Sequence, residues 1–353
     1  GHMQAGLMSS RVELLIDGNR HGGWTSVNIR RGLNQVADRF ELSLTEKWSE
    51  SAEPAPVRSG AECQVFIDDD LVITGYVDEV LPAYDANQHS LVVSGRSKTA
   101  DLVDCSSRRK TWSKPRKLEA IARELAEPFG IEVVVEADTG APIKAPAVEA
   151  GQPYYEALEQ MGRYRAVIFV CDPQGRLVIT KPPRGRIDTA LALGENIRKG
   201  SGRFSVRDRF SEIIVQGQQP GDDLLSGEQA SSPEGTATDP VIRFRTQVIV
   251  ADTPVDKAGC RQRAENETRR RRGRGRGVTY TVAGWRHDSG LWTPGFEVSV
   301  RDRWLGIQDD MLVEGVQLIL DGQGERAEAQ VVPPSAWDLT AEPEPEEEES
   351  LWG

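Results

Sequence analysis

Histidine, cysteine and aromatic side chains are scarce in this chain, and most kinds of chemistry are left without their usual residues. Of 353 residues four are cysteine, four are histidine and 6% are aromatic. Cys63, Cys105, Cys171 and Cys260 stand about 40 to 90 positions apart without a C-x-x-C pair, so neither a zinc site nor a redox dithiol is spelled out. They read as free, buried thiols of a chain folded in a reducing cytoplasm. His2 lies in an opening Gly1-His2-Met3 that reads as a scar of tag removal. His21, His89 and His287 sit in polar, turn-like settings, and no H-E-x-x-H or G-x-S-x-G pattern supplies a partner. No run of 18 apolar residues occurs, which excludes a membrane-spanning helix and leads us to expect no membrane insertion; no secretory leader is visible either. Acidic residues outnumber basic ones, 55 to 43, and the net charge of -12 argues against general affinity for DNA phosphates.

What is present is a globular composition, 38% hydrophobic and 28% charged, with length enough for two or three domains. From residue 11 to 95 apolar residues recur with the short period of strands, as in Val12-Glu13-Leu14-Leu15-Ile16 and Gln64-Val65-Phe66-Ile67, separated by turn chemistry such as Asp17-Gly18-Asn19. This predicts an antiparallel barrel or sandwich. Helical spacing follows: Leu118, Ile121, Ala122, Leu125 and Phe129 share a face ended by Gly130, and a second helix is expected from Pro153 to about Tyr164. With a strand at Leu177-Val178-Ile179, the middle section reads as α+β. Strand character returns from Phe210, interrupted by one helix that Thr253 is expected to cap and that runs toward Arg272. Leu71-Val72-Ile73-Thr74-Gly75-Tyr76 and Met311-Leu312-Val313-Glu314-Gly315-Val316 share one pattern, either a diverged internal repeat or a chance likeness of hairpins. The end, rich in Glu and Pro, is expected to be disordered.

Candidate sites are few. Asp68-Asp69-Asp70 suits a hairpin tip better than a cation site. Gly273-Arg274-Gly275-Arg276-Gly277 lacks the ending of a P-loop and the spacing of a dinucleotide turn. The strongest charge anomaly is Arg269, Arg270, Arg271, Arg272, Arg274 and Arg276. These arginines can end a helix favourably at the negative pole of its dipole, meet an acidic protein segment such as the acidic tail, or contact phosphates. No aromatics interleave them for base stacking.

Several short landmarks recur in a familiar order: Ser94-Gly95-Arg96-Ser97-Lys98-Thr99-Ala100-Asp101-Leu102-Val103-Asp104-Cys105, Leu118-Glu119-Ala120-Ile121-Ala122, Tyr155-Glu156-Ala157-Leu158, Leu193-Gly194-Glu195-Asn196, Arg207-Asp208-Arg209-Phe210-Ser211-Glu212, Gly235-Thr236-Ala237-Thr238-Asp239 and Leu291-Trp292-Thr293-Pro294. Over residues 11 to 334 the chain resembles the baseplate hub family of phage Mu-type contractile tails, related to late control protein D and to the N-terminal hub of type VI spikes.

The resemblance implies an α+β, mainly β fold with two β-barrel-like domains, 11–96 and 201–336, flanking and packed with a middle α+β domain, 97–200, before a disordered acidic tail, 337–353. It implies a homotrimeric ring in the tail baseplate of the virion, assembled in the host bacterial cytoplasm. That ring would adapt a hexameric tail tube to a separate trimeric spike for genome delivery. No catalytic residue, cofactor, metal or stable nucleic-acid binding is expected. The alternatives are the hub of a type VI-like or bacteriocin injection machine, or a cell-wall hydrolase. Because no β-helical needle repeats follow, the spike is expected to be a separate polypeptide. Residues 50–60, the Arg-Gly cluster and the acidic tail have no counterpart among the landmarks.

Overall fold

The computed structural model describes residues 9–47, 57–218 and 232–344. Its first unit contains β1 (Val12–Ile16), β2 (Ser26–Gly32), β3 (Arg39–Lys47), β4 (Glu62–Ile67), β5 (Asp70–Tyr84) and β6 (Gln88–Ser97). Side chains alternate between core and solvent, as the period-two pattern requires: Leu14, Val65 and Ile67 are fully buried while their neighbours are not. Turns fall where short polar residues tolerate positive φ, with Asp17 at 50° and Asp68 at 53°.

The middle unit packs α1 (Leu118–Ala126) and α2 (Tyr154–Arg163) on a small sheet of β7 (Val133–Val135), β8 (Ile168–Cys171) and β9 (Leu177–Thr180). Leu118, Ile121, Ala122 and Leu125 point inward as their spacing predicts, and Gly130, at φ 66°, ends the turn beyond α1.

The last part contains β10 (Gly185–Ala192), β11 (Ile197–Phe204), β12 (Glu212–Gln218), β13 (Glu234–Thr238), β14 (Thr246–Pro254), α3 (Lys257–Arg274), β15 (Arg276–Ala283), β16 (Phe296–Asp302), β17 (Ile307–Asp321) and β18 (Gly324–Val332). β10 pairs with β16 and β11 with β15, so residues 185–204 belong with this unit, and the boundary expected at 200 moves back to between Thr180 and Gly185. The expected single inserted helix is a larger insertion. β12, β13 and β14 form their own sheet, with α3 packed on it around Ile213, Val215, Cys260 and Ala264. Asp256, not Thr253, caps α3, accepting the Gly259 amide at 2.7 Å; Thr253 is drawn into β14 by strand pairing.

The two β-rich units share one topology. In the first the spatial order is β1-β4-β5-β6-β3-β2, and in the second β10-β16-β17-β18-β15-β11, with each position filled in the same chain order. The outermost pair alone differs in direction: β1 and β4 run antiparallel, β10 and β16 parallel. β5 and β17 are each 15 residues long, and each carries one bulged residue against the strand that follows it, Asp78 and Glu314, while β5 alone carries another, Val72, against the strand before it. The bulges align Val77 with Val313, whereas the shared sequence pattern aligns Gly75 with Gly315, four positions away. The repeat is therefore real at the level of topology and the glycine likeness is incidental. β2 joins β17, and with the short strand Asn19–His21 beside β1 the two units make one thirteen-stranded sheet over a continuous core in which Phe40, Tyr280, Trp285 and Trp292 are fully buried. Each such side chain contributes roughly 1.5–3 kcal/mol by leaving water.

Candidate assembly surface

The arginine run ends α3, and its guanidiniums are dispersed rather than gathered into one basic face. Arg270 and Arg271 both meet Glu267, Arg271 at 3.0 Å. Arg272 reaches Asp239 at 3.4 Å, a fully buried carboxylate that Arg209 also holds at 2.7 Å. Arg271 and Arg245 stack over the Phe210 ring, 5.5 and 4.8 Å from its centroid. Arg269 pairs with Asp338 at 3.4 Å and donates to Asn266 at 2.7 Å. Arg274 and Arg276 make no ion pair among the described residues; Arg276 opens β15 opposite Phe204. Burial favours protonation of Glu267, but the two neighbouring guanidiniums outweigh it and hold the carboxyl below its ordinary pKa.

The beginning of the tail is docked, contrary to the expectation of disorder from 337. Trp337 packs with Leu33, Val170 and Ala336 and donates to Glu314 at 3.1 Å. Thr340 bonds Asn266, Glu342 donates its amide to the Arg163 carbonyl at 2.9 Å, and Glu344 pairs with Arg165. These acidic residues find cations on the middle unit, and two apolar residues, Trp337 and Leu339, precede them. That pairing of apolar anchors with acidic side chains is the signal that composition alone obscures. Residues 345–353 lie outside the described residues. The segment roofs a cleft of about 280 Å³ between α2 and α3, lined by Arg163, Phe169, Asn266 and Arg270.

The cysteines, histidines and aspartates singled out in the sequence stand in separate places among the described residues. Burial pushes the Cys63 and Cys171 thiols up to about 12, which keeps them protonated. His287 packs edge-on against Trp292 at 5.1 Å, and burial lowers its pKa. Asp68 and Asp70 bind Arg286 of the second unit at 3.2 and 2.7 Å, as a hairpin tip clasped by a cation. Among the described residues no three His, Cys, Asp or Glu side chains converge as a metal site, and no helix is long and apolar enough to cross a membrane.

What the surface does offer is apolar groups and open strand edges. Val241, Phe244 and Trp304 are more than three-quarters exposed, and Leu81 and Phe204 are about half exposed. Where such groups adjoin one another in a contiguous patch, they mark contact surfaces. Phe204 lies on β11, which pairs with β15 on one side only among the described strands.

Three family profiles match the chain in order: the N-terminal domain of Mu phage baseplate assembly protein GpP-like proteins over residues 11–97, the second domain of baseplate hub protein gp44-like proteins over 99–181, and the fourth domain of Mu phage baseplate assembly protein GpP over 256–340. They define the class, baseplate proteins of Mu-like phage tails. The chain is 33% identical over 329 residues to the baseplate hub protein gp44 of Escherichia phage Mu, covering 90% of this chain and 86% of that protein. It belongs to the Mu baseplate hub protein family. Among solved structures, the 43 kDa tail protein of prophage MuSo2 from Shewanella oneidensis superposes with a TM-score of 0.85 at 34% identity, covering 93% of this chain and all of the other. A tail protein from Neisseria meningitidis MC58 shares the fold, with a TM-score of 0.80 at 24% identity, covering 95% of this chain and all of that one.

Proposed function

We propose that this chain is a baseplate hub subunit of a contractile phage tail, three copies of which close into a ring between a hexameric tail tube and a separate trimeric spike. The observation that carries the reading is the duplicated six-stranded unit. Three chains, each holding two copies of one fold, present six quasi-equivalent modules to a sixfold tube while remaining threefold toward a spike. The middle unit and the inserted unit around α3 occur once per chain, and so suit the threefold face. The ring acts passively, transmitting force through packed sheets during genome delivery, with no catalytic group and no bound cofactor. It takes its place in the tail baseplate of the virion after folding in the host cytoplasm.

Molar mass by light scattering tests this reading. Three chains per particle at micromolar concentration is the expected result. A strict monomer up to about 100 μM, where even weak specific contacts begin to populate, removes the ring.

A further inference from the structure

The fold contains its own template for how one copy of the β unit joins the next, and the template leaves two edges over. Starting from Val77, the residue before the first bulge, partners across the sheet run Gly95, Phe40, Ile29. Starting from Val313 they run Val331, Val278, Gly202. Ile29 of β2 and Gly202 of β11 are therefore equivalent. Ile29 continues the sheet into Leu318 of β17, four residues past the Glu314 bulge. The residue four past the Asp78 bulge in β5 is Pro82.

There the equivalence breaks off. Beyond Val77, β5 pairs only with β6 among the described strands, and β11 pairs only with β15 over 199–204. Within the chain, the last strand of unit one lies on the long strand of unit two. Among the described residues, the last strand of unit two and the long strand of unit one lack that contact.

We infer that residues 79–83 of β5 pair antiparallel with β11 of a second copy of this chain, in the register that β17 and β2 show internally, so that Val80 faces Phe204, Leu81 faces Arg203, Pro82 faces Gly202 and Ala83 faces Ser201. This inference rests on the trimeric ring proposed above and names its joints. The chemistry of the two edges is complementary. Phe204 and Leu81, about half exposed in the single chain, both enter the joint, and Phe204 meets Val80. Gly202 offers no side chain against the Pro82 ring, and a Cβ there would strike the Phe204 ring at 2.7 Å. Glu79 stands diagonal to Arg203, within reach for opposite charges on one sheet face.

Pro82 withholds one amide from the ladder while keeping its carbonyl, a device that suits an edge reserved for one partner. The Asp85 amide bonds the Gln88 carbonyl at 2.9 Å. Counting back from that bonded pair places Leu81 and Arg203 in a non-hydrogen-bonded pair, where opposite side chains come nearest.

The test is a Leu81→Cys, Arg203→Cys double variant of the full chain, oxidised mildly and run on a non-reducing gel. The expected result is a ladder of two and three chains that stops at three. Each single variant, and the out-of-register pair Leu81→Cys with Ser201→Cys, should stay mostly at one chain. Phe204→Asp should weaken trimerisation by at least about tenfold with an unchanged circular dichroism spectrum. If light scattering gives a trimer while the Leu81→Cys, Arg203→Cys chain stays uncross-linked, or if Phe204→Asp leaves the trimer intact, the strand pairing is wrong and the ring survives. A chain that is monomeric throughout and never cross-links overturns both.

Discussion

Arg31 holds Asp38 at 3.1 Å with both side chains more than nine-tenths buried, at the seam where β2 and the following turn meet the middle unit. The surrounding bonds satisfy the seam: the Asp38 amide donates to Ser97 Oγ at 3.1 Å, Ser97 Oγ donates to Cys171 Sγ at 3.4 Å, and Thr99 donates to the Val36 carbonyl at 2.7 Å. Burial is the strongest influence on Asp38 and raises its pKa despite the guanidinium. Arg31→Ala is expected to cost about 3–5 kcal/mol in urea unfolding, because it strands a buried carboxylate. The pH dependence should follow. A folded pKa above the ordinary 3.8 means that Asp38 contributes fully below that value and that its contribution is lost as pH rises through the folded value. The Arg31→Ala chain should therefore recover part of its loss in acid. A loss that does not vary between pH 7 and 4 would contradict this account of the seam.

Glu267 predicts the opposite slope. Its pKa is held below the ordinary 4.5, so its contribution is present above that value and fades as pH falls through the folded one. Glu267→Gln should cost about 1.5 kcal/mol at pH 7, the lower end for hydrogen bonds to charged groups because both arginines keep some exposure. The difference from wild type should shrink in acid. Unfolding curves for the two chains at pH 7 and pH 3.5 measure it directly.

Gly235 sits where α3 crosses the inserted sheet, and a Cβ there would lie 2.0 Å from the Arg261 backbone nitrogen. Gly235→Ala must push the helix away, at about 1–3 kcal/mol. Hydrogen exchange should accelerate along α3 and the inserted strands while β5 and β17 keep their protection. Uniform protection in both chains would show that the helix relaxes without cost.

The dispersed arginines carry a prediction about nucleic acid. With Arg269, Arg270, Arg271 and Arg272 committed to carboxylates, a labelled DNA duplex should show no mobility shift with this protein even at about 50 mM salt, where phosphate contacts are strongest. A shift that disappears in Arg274→Gln, Arg276→Gln would contradict this expectation and place phosphate binding at the end of α3.

Tyr280 donates to Asp302 at 2.8 Å deep in the second unit, and Asp302 also accepts the Trp304 and Leu305 amides. Tyr280→Phe should lower stability by about 1.5–3 kcal/mol, the range for a bond to a charged group. Thermal unfolding of the two chains checks it, and an equal midpoint would refute it.

By itself the sequence determined the local elements. Alternation in Val12-Glu13-Leu14-Leu15-Ile16 and the shared face of Leu118, Ile121 and Leu125 specify a strand and a helix, because those patterns arise from backbone periods of 2 and 3.6 residues. The ordered landmarks specified the family on the same local footing. Tertiary structure decided what local pattern cannot encode. Residues 185–204 read as a continuation of the middle section, yet their strand partners lie far downstream, from Phe204 opposite Arg276 to Gly185 opposite Phe296, and hydrogen bonding across that distance moved the boundary. Asp338, Glu342 and Glu344 read as solvated charge until the fold brought Arg269, Arg163 and Arg165 beneath them. Asp78 and Glu314 share no sequence signal at all; they are equivalent because each is the residue a neighbouring strand cannot match, a relation that exists only once the sheet is built.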